Sequence, residues 1–345
     1  ILGEDAILLS SIIATLKRIF EKYGFQPFFT PALENADTLK TKISEEMLAL
    51  MYEFKDKAGR EIGLRYDLTI GLARIAASQQ LAMPFKRYQI DKAWRYESPQ
   101  AGRYREFWQA DVDVLGVESA KADAECLACV SEALQEIGIK SFIIKVNSRK
   151  LLDEIAAEVG IVSEKDRAKA YQIIDKIDKI GKAEVEKELQ RAIGKDKTKK
   201  LLAILFGKGR KPTKDIEELK KYAKLYGIEN RIKLDLTLVR GLAYYTGLIF
   251  EIVTAESNKN QSIAGGGRYD DLIEKLGGRR TAATGISLGL DRILAVLKSE
   301  KKVKAGSLTR VYIIPISAEQ EEYAIKVLQQ LRKEGINSDI ALAER

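Results

Sequence analysis

The stretch 85–116 constrains the fold of this chain more than any other. Two β-like runs, FKRYQIDKAWRYE and REFWQADVDVLG, are joined by SPQAGRY, which carries Pro99 and Gly102. Strand-forming runs on either side of turn formers make a long antiparallel hairpin, and a hairpin of this length needs a sheet to lie in. The flanking segments supply the material. Leu9, Ile12, Ile13, Leu16, Ile19, Phe20 and Tyr23 recur at a helical period, with Gly24 placed to end the helix. FQPFFTPALEN, with its aromatics and two prolines, reads as an edge or interface strand. Residues 60–66 read as a strand, and 67–78 as a helix capped by Asp67 or Thr69. A helix near 120–137 and a strand at SFIIKVN follow.

The segment from about 164 to 226 is helical in pattern throughout, with AYQIIDKIDKI, AEVEKELQRAI and TKKLLAILF separated by Gly181, Gly194 and Gly207, and it reads as a helical insertion. Residues 161–220 carry 17 Lys and Arg against 11 Asp and Glu, an excess of six out of the whole chain's net +8. FGKGRK within it reads as a solvated basic loop. Strand signals return in KLDLTLVRGL and GLIFEIVTA, then AGGGRYDDLIEKLGG and the mixed ATGISLGLDRILAVL, where Arg292 falls in the last turn of an apolar helix. The last forty residues hold TRVYIIPI, an amphipathic helix over 318–334, Gly335 and the short strand SDIAL, one βαβ unit that stops before an α/β domain is complete.

At 345 residues the chain has room for about two domains and a small third. No uncharged apolar stretch reaches the ~18 residues of a membrane span, and the first twenty residues do not read as a signal peptide, so the expected location is the cytoplasm. Cys126 and Cys129 form a C-x-x-C, but Leu127, Val130, Leu134 and Ile137 surround them at the spacing of a buried helix face, so core packing is expected rather than a metal or disulfide. The chain has no histidine at all. Ser-His-Asp triads, Cys-His pairs and His-ligated metals are thereby excluded together, and chemistry must run on Arg, Lys, carboxylates, Tyr or an oxygen-bound metal. The three glycines of AGGGRYDD are not a P-loop, since no Gly-Lys-Ser/Thr follows, and locally they read as a tight turn. Arg95, Arg103 and Arg105 on the hairpin, Arg240 after a strand and Arg292 together suggest a polyphosphate site. ATP carries about four negative charges, and planar guanidinium groups grip phosphate oxygens in two-point contacts.

These residues carry a resemblance. The 85–116 segment resembles motif 2 of class II aminoacyl-tRNA synthetases, ATGISLGLDRIL resembles motif 3, and FEKYGFQPFFTPALE resembles motif 1. LVRGLAYYTG at 238–247, AGGGRYDDL at 264–272 and LRYDLT at 64–69 narrow the resemblance to the histidyl-tRNA synthetases. It implies an α+β fold: a class II antiparallel sheet flanked by helices (1–163 and 227–304), a helical insertion domain (164–226) and the start of a C-terminal α/β anticodon-binding domain (305–345), in a truncated chain. It implies ATP-dependent histidine–tRNA ligation through a histidyl-adenylate, with Mg²⁺ accompanying ATP, tRNA for histidine as partner, a homodimer and no membrane. By motif, Arg95 would hold the α-phosphate, Glu97 the adenine amine and Phe107 the adenine face. Arg292 would clamp the far phosphates with Arg105 assisting, and Arg240 would neutralise charge at the reacting phosphorus. Asp67, Gln109 and Thr69 would bind the ammonium of histidine, and Asp113, Tyr245 and Tyr269 its imidazole. Ala243 stands where the family commonly has Asp, and Asp113 where some members have Glu. The insertion would touch the tRNA backbone, with Lys195, Lys197, Lys199 and Lys200 among its cations. A synthetase-like regulatory paralogue that partners ATP phosphoribosyltransferase is the alternative expectation.

Overall fold

The computed structural model describes residues 1–41, 43–98, 102–207, 209–240, 244–254, 261–299 and 307–342. Its centre is a sheet of eight strands among these residues, in the order Gln26–Pro27, Phe85–Trp94, Glu106–Leu115, Ala283–Gly289, Gln261–Arg268, Leu248–Thr254, Phe142–Ser148 and Ile232–Leu234. All interior pairings are antiparallel, and only the two edge strands pair in parallel. The expected hairpin is its longest pairing, in register from Phe85 opposite Leu115 to Trp94 opposite Glu106. Lys121–Glu136 packs on the sheet, and the opening helix Glu4–Lys22 packs on Lys121–Glu136 with Leu8, Leu9, Ile12, Leu16, Ile19 and Phe20 turned inward. Gly24 ends that helix at φ 75, a conformation glycine adopts without cost. Cys126 and Cys129 are free and buried in this core, and burial pushes both thiols up.

Several expectations are corrected in detail. Among the described residues of KLDLTLVRGL, only Lys233 and Leu234 are in a strand, Ile232–Leu234. Asp235 then stops the ladder, because its Oδ1 accepts from the Thr237 N–H (3.0 Å) and hydroxyl (2.6 Å), and Asn147 Nδ2 donates to the carbonyls of Leu236 and Leu238. The glycine run 265–267 is not a turn but mid-strand, in Gln261–Arg268. Arg292 lies in the first turn of its helix, not the last, because Gly289 ends the preceding strand and the helix starts at Leu290. Asp67, not Thr69, caps the helix Thr69–Ser78: its Oδ1 accepts from the N–H groups of Thr69 (3.1 Å) and Ile70 (3.0 Å).

Between the strands Phe142–Ser148 and Ile232–Leu234 run the helices Arg149–Val159, Glu164–Ile174, Lys182–Ile193, Lys195–Leu205 and Lys214–Leu225. Lys182–Ile193 packs on both Glu164–Ile174 and Lys195–Leu205, and Lys195–Leu205 also meets Arg149–Val159. Lys214–Leu225 returns to lie on Lys121–Glu136 and the sheet. The final unit pairs Val311–Ile313 in parallel with Ser338–Ile340 across the helix Glu321–Lys333, around Ala324, Leu328 and Ile340. Among the described residues no helix is long and apolar enough to cross a membrane.

Candidate active site

A cleft with about 150 Å³ of interior space lies over the middle of the sheet. One end is acidic. Asp111 and Asp113 are two apart on the strand Glu106–Leu115, so both face the same side. Register puts Arg87 opposite Asp113. The fully buried Arg87 guanidinium lies 2.7 Å from Asp113 Oδ2 and 4.0 Å from Asp111 Oδ2, and it donates to the Leu68 carbonyl at 3.2 Å. Tyr269 donates its hydroxyl to Asp113 Oδ1 at 2.5 Å. Asp67, its Oδ1 committed to the helix, accepts from the Tyr244 hydroxyl at Oδ2 (3.2 Å). The Tyr244 ring centre is 4.8 Å from that of Tyr245 and 5.9 Å from that of Tyr269. Gln109 donates to Ser287 Oγ at 2.8 Å.

Three buried carboxylates against one guanidinium leave this end short of positive charge, which suits a ligand bringing an ammonium or an imidazolium. Burial raises Asp67, Asp111 and Asp113 above the usual carboxylate range; neighbouring carboxylates reinforce that and Arg87 opposes it at Asp111 and Asp113, while the Ile70 N–H and Arg95 oppose it at Asp67. Asp111 is pushed up to about 7, and its Oδ1 is buried without a partner. The unfolded chain releases the Asp111 proton near 3.8 and the folded chain near 7, so this group lowers stability as pH rises through that window. Denaturant titrations from pH 4 to 7 should show stability falling in the wild type and a flatter profile in Asp111→Asn. An equally steep profile in the variant would place the titration elsewhere.

The other end is cationic. Arg95 donates from Nε to the Tyr66 carbonyl at 3.0 Å, and its guanidinium carbon is 5.1 Å from the Phe107 ring centre. Arg103 pairs with Glu97, and Arg292 donates to the Ser262 carbonyl at 2.9 Å. Burial, then the nearby Arg103, pulls the Arg292 guanidinium below its ordinary range, and Glu97 opposes them. Asp291 accepts from the Trp108 N–H at 2.7 Å and so ties the Leu290–Ser299 helix to the hairpin.

Arg240 lies between the two ends. Its φ of 63 makes it the only non-glycine in the left-handed region among the described residues, a conformation costing about 1–2 kcal/mol. Its Nη1 is 3.3 Å from Glu251 Oε1. The glycine strand accounts for its room: a Cβ on Gly265 would sit 2.3 Å from Arg240 Nη1, and one on Gly266 would sit 2.1 Å from the Gly285 carbonyl oxygen. A Cβ on Gly285 would come within 1.9 Å of Asp113 Oδ1.

Of the residues singled out from sequence, Asp67, Thr69, Arg95, Glu97, Phe107, Gln109, Asp113, Arg240, Tyr245, Tyr269 and Arg292 all line this cleft. Arg105 does not. Its guanidinium carbon lies 4.4 Å from the Tyr96 ring centre and its Nε donates to the Glu97 carbonyl at 3.4 Å, and Arg103 lines the cleft instead. Pro99 and Ala243 lie outside the described residues. Sequence reasoning passed over Tyr244, Asp111 and Arg87. The alternation in ADVDV was a signal for Asp111, whereas Arg87 depends on cross-strand register. Among the described residues no group of three or more acidic or thiol side chains is placed to hold a metal ion. Chemically, the cleft can hold a cation-bearing small molecule beside a polyphosphate, with one guanidinium where they would meet.

Residues 1–293 match the family model described as histidyl-tRNA synthetase. The histidine–tRNA ligase of Pyrococcus horikoshii is 36% identical over 366 aligned positions, covering 100% of this chain and 84% of the relative. That of Aeropyrum pernix is 37% identical, covering 99% and 82%. The crystal structure of histidyl-tRNA synthetase from Nostoc superposes with a TM-score of 0.83 at 28% identity, covering 100% of this chain and 84% of that one.

Proposed function

The chain belongs to the histidyl-tRNA synthetase family, and from that premise we infer how its cleft works. It is a histidine–tRNA ligase that uses ATP. The acidic end receives histidine: Asp67 and Gln109, with Thr69 beside them, bind the ammonium, and Asp113, Tyr269 and Tyr245 the imidazole. Apolar amino acids would leave these buried groups unpaired and are rejected for that reason. The cationic end receives ATP, with Phe107 on the adenine face, Glu97 at its amine, Arg95 on the α-phosphate and Arg292 on the far phosphates. Arg103, rather than Arg105, assists Arg292, since Arg103 lines the cleft.

A carboxylate oxygen of histidine then attacks the α-phosphorus. The bond from that phosphorus to the oxygen bridging to the β-phosphate breaks, and pyrophosphate leaves with the electron pair. Arg240 balances the charge that builds on the α-phosphoryl oxygens. A hydroxyl of the terminal ribose of tRNA next attacks the carbonyl carbon of the adenylate, releasing AMP. Mg²⁺ would accompany ATP, supplying further positive charge beside the phosphates that Arg95 and Arg292 hold.

We assign 1–163 and 227–304 to catalysis, 164–226 to an insertion that meets tRNA, and 305–345 to an α/β unit for the anticodon. The exposure of Lys195, Lys197, Lys199 and Lys200 supports the insertion's role. Replacing these four lysines by glutamine should weaken tRNA binding and flatten its salt dependence, leaving histidine activation intact. Binding curves that ignore both salt and the substitutions would remove that assignment. Exposed Phe29 and Leu33 in the motif 1 segment support a homodimer, and free, buried cysteines suit the cytoplasm.

The observation that carries the reading is the meeting of an acidic pocket and an arginine cluster at Arg240 in one cleft. Pyrophosphate exchange into ATP, run with each of the twenty amino acids and no tRNA, tests it. Exchange with histidine alone is expected. Histidine binding without exchange would favour the regulatory paralogue, a reading that no specific observation here supports better.

A further inference from the structure

The left-handed backbone of Arg240 is held from outside its own segment. Its carbonyl oxygen accepts a hydrogen bond from Arg149 Nη2 at 2.9 Å. Arg149 is itself anchored: it opens the helix Arg149–Val159, its N–H donates to the Gly247 carbonyl at 2.9 Å, and Ser148 caps that helix by accepting from the Lys150 N–H. Its guanidinium carbon lies 5.4 Å from the ring centre of Tyr171, in the helix Glu164–Ile174. The Tyr171 hydroxyl donates to Asp153 Oδ1 at 2.8 Å, which fixes the ring against Arg149–Val159. The acidic groups around Arg149 are Tyr171, Asp153, Asp175 and Tyr245. Asp175, which ends the Tyr171 helix, also acts electrostatically on Arg240. A contiguous path therefore runs from the first helix of the helical segment, through Tyr171 and Arg149, to the peptide that aims Arg240.

We propose that Arg149 is a positioning residue for Arg240, and that Tyr171, stacked upon it, ties the aim of that arginine to the seating of the helical segment. The proposal rests on the ligase reading above and adds a part to it. Arg149 touches neither substrate in this arrangement. It acts by holding the one strained peptide on which the charge-neutralising guanidinium depends, so its loss leaves histidine bound and slows the step at phosphorus.

The test is histidine-dependent pyrophosphate exchange with the full chain. Arg149→Met should lower kcat on the order of 10- to 100-fold, the scale of a misplaced reacting group, with the KM for histidine nearly unchanged. Arg149→Lys should recover part of the loss, because an ammonium can still reach the Arg240 carbonyl. Tyr171→Ala should lower kcat in the same direction by a smaller factor and should have no effect once Arg149 is gone. In an Arg240→Ala background, Arg149→Met should cost nothing further. Wild-type turnover in Arg149→Met, losses that multiply in the Arg240→Ala background, or loss of histidine binding by calorimetry would each overturn the proposal. If Arg149→Met does not fold, Arg149→Lys and Tyr171→Ala decide it by the same split between kcat and KM. A wild-type chain with no exchange would overturn the ligase reading itself.

Discussion

Replacing Arg240 by alanine should lower histidine-dependent pyrophosphate exchange by about 10²- to 10³-fold, the cost of removing one donor aimed at developing charge. Histidine affinity should hardly change, because the acidic pocket is built from other side chains. Gly265→Ala should reproduce much of this loss without touching the charge, since its methyl group would occupy the space of the Arg240 guanidinium, 2.3 Å from Nη1. The double variant should be little worse than Arg240→Ala alone. Exchange in Arg240→Ala within a small factor of wild type would sink the assigned role.

The second large effect is on stability. Arg87→Met should destabilise the fold by about 3–5 kcal/mol at neutral pH, because it leaves Asp111 and Asp113 buried without their cation. The penalty should shrink as pH falls. Both carboxyls already lie above their ordinary range, and losing Arg87 raises them further, whereas in the unfolded chain they ionise near 3.8. The unfolded carboxyls ionise alike in both proteins, so the electrostatic part of the penalty fades once pH falls below the folded-state range, about 7 for Asp111. Guanidinium titrations at pH 7 and pH 4 measure the difference. An equal penalty at both would mean that Arg87 acts through packing alone.

Much of the fold was legible because its cues are local. The hairpin announces itself in one segment, and the opening helix, Lys121–Glu136 and the closing βαβ unit all obey short-range periodicity. What failed was long-range. A glycine triplet reads as a turn until the strands beside it are known, and only their approach explains why no side chain fits. Arg87 looks like one more strand cation until register sets it opposite Asp113. Tyr244 is hidden beside Tyr245, since nothing local tells which of two adjacent tyrosines reaches Asp67. Arg105 came from motif position alone, which does not tell which of Arg103 and Arg105 lines the cleft.

The glycine strand also sets what the bed of the cleft can contribute. From Gly265 to Gly267 the strand is paired on both sides, with Leu248–Thr254 and with Ala283–Gly289, so its peptide groups are spent on its neighbours. Without side chains it has nothing else to offer. That surface is chemically mute: it lets a flat group lie close and takes no part in choosing it. All discrimination falls to the walls, and a substitution in the bed can block a ligand but cannot teach the cleft a new one.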